Sequence, residues 1–579
     1  MANREDVTAT RMTTRNALRA LATLEELKRH LGTGEAKILR ALIALSRFRL
    51  DDAESLIRLH ETLLFLRAYP PSARVRRQVD TMLASFAARV SRLGDSGGDL
   101  SPLDEVEVSG IAGTCVTSNF SYAIVRWLVA AHPGQVAIDW DWFDEGDRFG
   151  ATMPRFLPLL EEDAMVEAHV PYRDWLRAAK GRRNDLDWMV ERFEGLTIPN
   201  RAKAERFDAL KLHVSWTFDL GASRTGMIRP TRRRFFHRAP LIQRSDVSLS
   251  EELDSPPISL QRLSPTAGTK ILDLARGTSA VRYRELHGFT FGDSRRVLKA
   301  DFGRGTEAFV FGVPPEHRLP LRAYHAAMII KNGVPVAYFE GLSIFERLES
   351  GFNLYYTFRD GETAWLFGRV LRLTRQLLGV SVFSIDPYQV GHDNEEGIAS
   401  GAFWFYRKLG FRPVRPALME LTQAEERRIA TNRGYRTPVR TLQKLADGHM
   451  LFDGPQPGRH GVMHEWDGFE VRNIGLAVQR RMAREFSGDA QAMRSDSAAH
   501  VTRHLGLETL RWGTPARQLF EDFALVLAMI PGLGRWSAGE KQLAARIVRA
   551  KARGDEARYL ALMQRHARMR AALVGFGSS

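Results

Sequence analysis

The sequence predicts a multidomain protein of the mixed α/β (α+β) class, and three observations carry that prediction. Residues 324–414 alternate strand and helix patterns, both ends of the chain place apolar residues at helical spacing, and short Gly, Ser, Asp and Pro runs separate these stretches. The chain, at 579 residues, also exceeds what one hydrophobic core supports. The expected order is an N-terminal helical region (1–100), a small α/β region ending in a basic linker (101–255), a mixed sheet with helices (256–416) and a helical C-terminal region (417–579).

In residues 14–93, Leu18, Leu21 and Leu24, then Leu39, Leu42, Ile43 and Leu45, form helix-spaced clusters, broken once at Pro70-Pro71. Packing or assembly is the role such helices imply. After the loop 94–99 the pattern becomes strand (106–111), helix (118–131) and strand (135–142). Gly110 and Gly113 sit where a nucleotide-binding turn would need them, but no full Gly-x-Gly-x-x-Gly is present, so a structural turn is expected. The acidic run 139–147 puts Asp139 and Asp141 on one side of a strand, and paired carboxylates can hold Mg²⁺ or do acid–base work. A solvated strand end explains them more simply, and no metal is expected.

A further strand pattern at 212–218 precedes a basic stretch in which Arg229, Arg232, Arg233, Arg234 and Arg238 interleave with Phe235, Phe236 and His237. That pattern suits a polyanion such as tRNA, through phosphate contacts and stacked bases, and it equally suits a solvated linker. Asp254-Ser255-Pro256-Pro257 then opens the central part.

There, two strands meet at Asn332-Gly333, a strong hairpin signal, and 352–358 reads as a third strand. Leu366, Val370, Leu373 and Leu377 make one stripe of a helix running from about Asp360 to Gly379, and 379–387 is a buried strand. From Ile398 a second stripe continues through Ala402, Phe405 and Leu409, with Asp393 and Glu396 spaced like a capping box and Gly410 as the stop. Helical patterns resume at 422–432, 438–446 and 515–530. Residues 530–538 resemble a helix-hairpin-helix DNA-binding turn, yet Lys541 stands where that motif needs an apolar residue, so an ordinary helix connection is expected.

The order hairpin, strand, helix, strand, helix, strand, with Tyr406 four residues before Gly410-Phe411, resembles the GCN5-related N-acetyltransferase (GNAT) superfamily over residues 258–416. The resemblance implies a first strand at 258–263, a helical region at 267–286, and two strands that splay around the main helix to admit acyl-CoA. It implies cofactor binding by Tyr356, Phe358, Arg359, Gly361, Thr363 and Ala364, with helix-start N–H groups on the pyrophosphate. The Arg359-Asp360-Gly361-Glu362-Thr363-Ala364 loop departs from the family pattern by placing Glu362 at its central Gly. Two carboxylates there are expected to repel a pyrophosphate, so that Glu362→Gly would tighten CoA binding.

The implied reaction is attack of an amine on the thioester of acetyl-CoA or another acyl-CoA. Tyr406 occupies the family position for the acid, and it also borders the apolar stripe as a core tyrosine would. Glu340, a lone carboxylate in the apolar run 336–341, is the candidate base if burial raises its pKa, and a solvent-facing edge residue otherwise. Two readings keep the fold without CoA: an aminoacyl-tRNA-dependent ligase, which the formal charge of +15 favours, and an inactive scaffold. A single Cys115 excludes an intramolecular disulfide and a multi-thiolate zinc site. With no apolar run of membrane-spanning length and no signal-like start, a cytoplasmic location is expected.

Overall fold

The structure, a computed structural model, describes residues 2–32, 34–144, 146–157, 171–231, 233–455 and 464–578. It is a mixed α/β protein with two sheets among the described residues. The smaller contains β1 (Cys115–Ser118), β2 (Val136–Ile138) and β3 (Val214–Thr217) in the order β1-β3-β2, all antiparallel. It has its own core around Trp216, Phe193 and Phe207. The strand expected at 106–111 does not form; turns occupy that stretch, and β1 begins at Cys115. The reason is close packing: Gly110 has φ 83°, and a Cβ there would lie 2.7 Å from Val281 Cβ, at the end of the helix Pro265–Ala280.

The larger sheet contains β4 (Ser259–Arg262), β5 (Leu298–Gly303), β6 (Thr306–Phe311), β7 (Ala323–Lys331), β8 (Val334–Ile344), β9 (Arg347–Leu354), β10 (Val382–Ile385), β11 (Arg412–Pro413) and β12 (Met450–Asp453). Its order is β11-β12-β10-β9-β8-β7-β6-β5-β4. Strands β4 to β9 are antiparallel neighbours in chain order, β9 and β10 are parallel, and β12 runs antiparallel to both β10 and β11. The β7–β8 turn has φ 48° at Asn332 and φ 87° at Gly333, the backbone that this dipeptide favours. Asn332 also donates to Ala68 O at 2.7 Å, tying the hairpin to the N-terminal helices.

The central helix is Thr363–Leu378, closed by Gly379 at φ 68°. The helix expected to run unbroken from Ile398 to Leu409 is instead two, Glu395–Ala399 and Ala402–Arg407, because Gly401 between them has φ 68°. Its cap is Asn394, which accepts from Gly397 N at 3.2 Å, and not Asp393. A further departure is β12, which comes from the stretch beyond residue 416 that reads as helical and yet lies between β10 and β11.

The N-terminal helices, the larger sheet and the C-terminal helices share one continuous core. The helix Ala53–Ala68 is buried on nearly all sides, and Tyr559 in the C-terminal helix Glu556–Met563 donates to Leu321 O at 2.5 Å. At the helix-hairpin-helix-like turn, Lys541 Nζ donates to Gly534 O at 2.7 Å, and a Cβ on Gly534 would meet His504 at 2.8 Å. The turn is thus covered by another helix, as an ordinary connection is.

A buried polar node joins three parts of the chain. Glu61 accepts from Arg224 at 3.1 Å and from the Thr357 hydroxyl, while His60 bonds Glu61 at 3.0 Å and Thr225 Oγ1 at 2.8 Å. Burial lowers the His60 pKa to about 4. Between that value and its unfolded pKa near 6.5 only the unfolded chain takes up the proton, so stability falls as pH is lowered through that window, by about 3 kcal/mol in full. The melting temperature is expected to drop between pH 6.5 and 4, and His60→Gln to flatten the drop; parallel profiles would remove His60 as its source.

Candidate functional site

The parallel strands β9 and β10 pair at only three positions, Arg347↔Val382, Leu348↔Phe383 and Glu349↔Ser384. Beyond them β9 continues to Leu354 while β10 ends at Ile385 and the chain turns away at Pro387. The gap opens into a cleft of about 810 Å³. Phe352, Asn353 and Leu354 form one wall, Tyr388 and Gln389 another, and Ala402, Phe405 and Tyr406 an apolar end. Gly361, Thr363 and Ala364 bring the start of the central helix to the cleft, and Arg29, Arg244, Arg284 and Arg359 make its surroundings basic.

The helix start is free to meet a ligand. Its first intrahelical bond is Leu366 N to Glu362 O at 2.9 Å, so the N–H groups of Thr363, Ala364 and Trp365 have no acceptor within the helix, and no side chain caps it. The carboxylate of Glu362 points away from the cleft. It is fully buried, accepts from Lys331 Nζ at 2.8 Å and Ile242 N at 3.3 Å, and pairs with Arg304. Burial alone would raise its pKa, but the Lys331 charge and the bonds from Arg304 and Lys331 outweigh burial and hold it below the ordinary carboxylate value. The expected repulsion of a pyrophosphate by Glu362 is therefore wrong: its charge is neutralised inside the core. Asp360 at the cleft mouth is likewise paired, with Lys28 at 3.3 Å and Arg29 at 3.4 Å.

Of the six expected cofactor residues, Arg359, Gly361, Thr363 and Ala364 line the cleft. Phe358 is fully buried in the core and Tyr356 is half exposed beneath the Arg359 guanidinium, because 356–358 is a 3₁₀ turn and not the end of a strand. Tyr406 lines the apolar end, its ring 5.5 Å from Phe367 and 5.6 Å from Phe411. Burial raises its pKa, so the phenol stays protonated at neutral pH. Glu340 does not border the cleft; it accepts from the Tyr324 hydroxyl, which in turn accepts from Gly288 N at 2.8 Å. Tyr338, two residues earlier on the same face of β8, does border it, and Gly351 opposite Glu340 leaves that face without a side chain.

Sequence reasoning missed Glu396 as a cleft residue, since it read as part of a cap. It pairs with Arg359 and lies 3.6 Å from Arg284, which donates to Tyr338 Oη at 3.0 Å. Arg284, Tyr338, Asn353 and Gln389 had no motif to mark them. The basic stretch after residue 229 is only partly available: Arg233, Arg234 and Arg238 are exposed, but His237 is buried and Phe235 lies under Arg304 and Lys331. Arg232 lies outside the described residues. Asp139 is engaged locally, accepting from Asp141 N at 3.2 Å and Thr117 Oγ1 at 3.3 Å, while Glu145 and the Asp147 side chain lie outside the described residues.

Fold and cleft together define a mixed α/β protein with a basic, partly apolar cleft where two parallel strands part. Comparison with protein-family models, curated proteins and solved structures found no match. No helix among the described residues is long and apolar enough to cross a membrane.

Proposed function

We propose that the protein is a GNAT-like N-acyltransferase that moves an acyl group from acetyl-CoA or another acyl-CoA to an amine. The observation that carries this reading is the parting of β9 and β10 beside the uncapped start of the central helix. Outward-facing N–H groups and the positive end of a helix suit a pyrophosphate, and the cleft volume suits a cofactor-sized ligand. The guanidinium of Arg244, which lines the cleft, has no hydrogen-bond or ion-pair partner among the described residues and adds a free cation for phosphate.

When bound, acyl-CoA supplies an activated acyl carbon. The amine nitrogen forms a bond to that carbon as the carbon–sulfur bond breaks. Tyr406 donates a hydrogen bond to the departing sulfur; its raised pKa, well above that of a thiol, makes it a donor and not a full proton source. The acceptor enters along the β8 face past Tyr338, and its proton passes through solvent in the cleft to the departing thiolate, since Glu340 does not border the cleft.

Calorimetric titration with acetyl-CoA tests the reading. Saturable binding is expected, weakened about tenfold by Arg244→Ala, which removes a charge-assisted contact. Absence of binding heat at millimolar acetyl-CoA would end it. The exposed Arg233, Arg234 and Arg238 favour a second reading, a CoA-independent protein of the aminoacyl-tRNA-dependent type. A tRNA gel shift that weakens steeply with salt, alongside a silent acetyl-CoA titration, would select it.

A further inference from the structure

We propose that Glu349, Asp386 and His449 bind a divalent transition-metal ion such as zinc, in a site separate from the cleft. The sheet register assembles them. Glu349 on β9 lies opposite Ser384 on β10, Ile385 lies opposite Met450 on β12, and so Asp386 and His449 fall next to each other on the face that Glu349 shares. One donor atom from each lies within 4.8 Å of the others. Zinc bonds of about 2.1 Å place tetrahedral donors about 3.4 Å apart, so closure needs side-chain movements of only about 1 Å.

A second observation points to a ligand. The Nδ1 atom of His449 is buried and has no hydrogen-bond partner, an arrangement that native proteins avoid unless another group satisfies the nitrogen. The other two donors are oriented by their surroundings and keep free lone pairs. Asp386 uses Oδ1 to accept from Tyr388 N at 2.9 Å, and Glu349 uses Oε1 to accept from Arg322 at 3.2 Å. Arg322 is the cation paired with Glu349, and Arg347, a second cation lining the same cavity, is occupied elsewhere: it donates to Ser384 Oγ at 3.2 Å and Phe469 O at 2.9 Å.

One imidazole nitrogen and two carboxylate oxygens form a donor set of the zinc, cobalt and nickel type, and not the all-oxygen set of calcium or magnesium. The three residues face a cavity of about 240 Å³ that shares no lining residue with the cleft. Three protein ligands and an adjoining cavity leave a fourth position for water or an added ligand, as in sites where the metal acts on a bound molecule.

The test uses the full chain, stripped with EDTA and dialysed, then titrated with ZnCl₂ by calorimetry and with CoCl₂ by visible absorption. One equivalent of zinc is expected, with a cobalt spectrum in the visible range, and His449→Gln and Asp386→Asn should each weaken binding by more than about tenfold. His500→Gln/His504→Gln, which removes another close imidazole pair (rings 4.5 Å apart), should leave binding unchanged. No binding by the natural chain at about 10 μM zinc, or equal affinity in His449→Gln, overturns the proposal. If His449→Gln loses the native circular dichroism spectrum, Glu349→Gln decides in its place, with retained affinity again overturning it.

Discussion

Lys331→Met is expected to destabilise the protein by about 3–5 kcal/mol, because it leaves the carboxylate of Glu362 buried with one partner removed. Both side chains of this pair are fully shielded from solvent, and Arg304, the remaining partner, is itself partly exposed. The double variant Lys331→Met/Glu362→Leu should recover most of the loss, since it removes both charges together. Glu362→Gly is likewise expected to lower stability and not to tighten acetyl-CoA binding, as its charge does not face the cleft. The Glu362 pKa is depressed on folding, so the stability it contributes is present above the unfolded value near 4.5 and is lost as pH falls through the lower folded value. Urea midpoints of the three variants check this; a midpoint for Lys331→Met equal to the natural chain's would show that the pair is not buried.

Tyr406→Phe is expected to slow thiol release from acetyl-CoA about a hundredfold, measured with a panel of primary amines as acceptors, while acetyl-CoA affinity stays within about twofold. The substitution removes one hydroxyl and keeps the ring that packs on Phe367, Phe405 and Phe411. Affinity is therefore the internal control for folding and cleft shape. Equal rates in the two proteins would leave Tyr406 as a core residue and place the donor to sulfur elsewhere.

Local chemistry was what the sequence exposed. Asn332-Gly333 encodes its own turn, Gly379 and Gly410 stop helices through their positive φ, and the stripe Leu366, Val370, Leu373 marks the central helix. Partners distant in sequence were hidden. Glu362 reads as a charge at a helix start because Lys331 and Arg304, which neutralise it, lie 31 and 58 residues away. The break at Gly401 was masked by an apolar pattern that continues in phase across it. In the cleft, the loop 359–364 carried a motif and was found, whereas Tyr338 and Asn353 meet only through the β8–β9 register and Gln389 joins them from the short helix Pro387–Val390 after β10.

The placement of β12 between β10 and β11 bears on how the chain is made. As it leaves the ribosome, β10 must wait for residues 450–453 before its outer edge is covered, and β11 has no neighbour to bond until then. A fragment cut at residue 416 would expose the four apolar-flanked peptide units of β10 as a bare edge, prone to pairing with other chains. Expression of the central portion alone is thus a recipe for inclusion bodies, and soluble material calls for the polypeptide through at least Asp453.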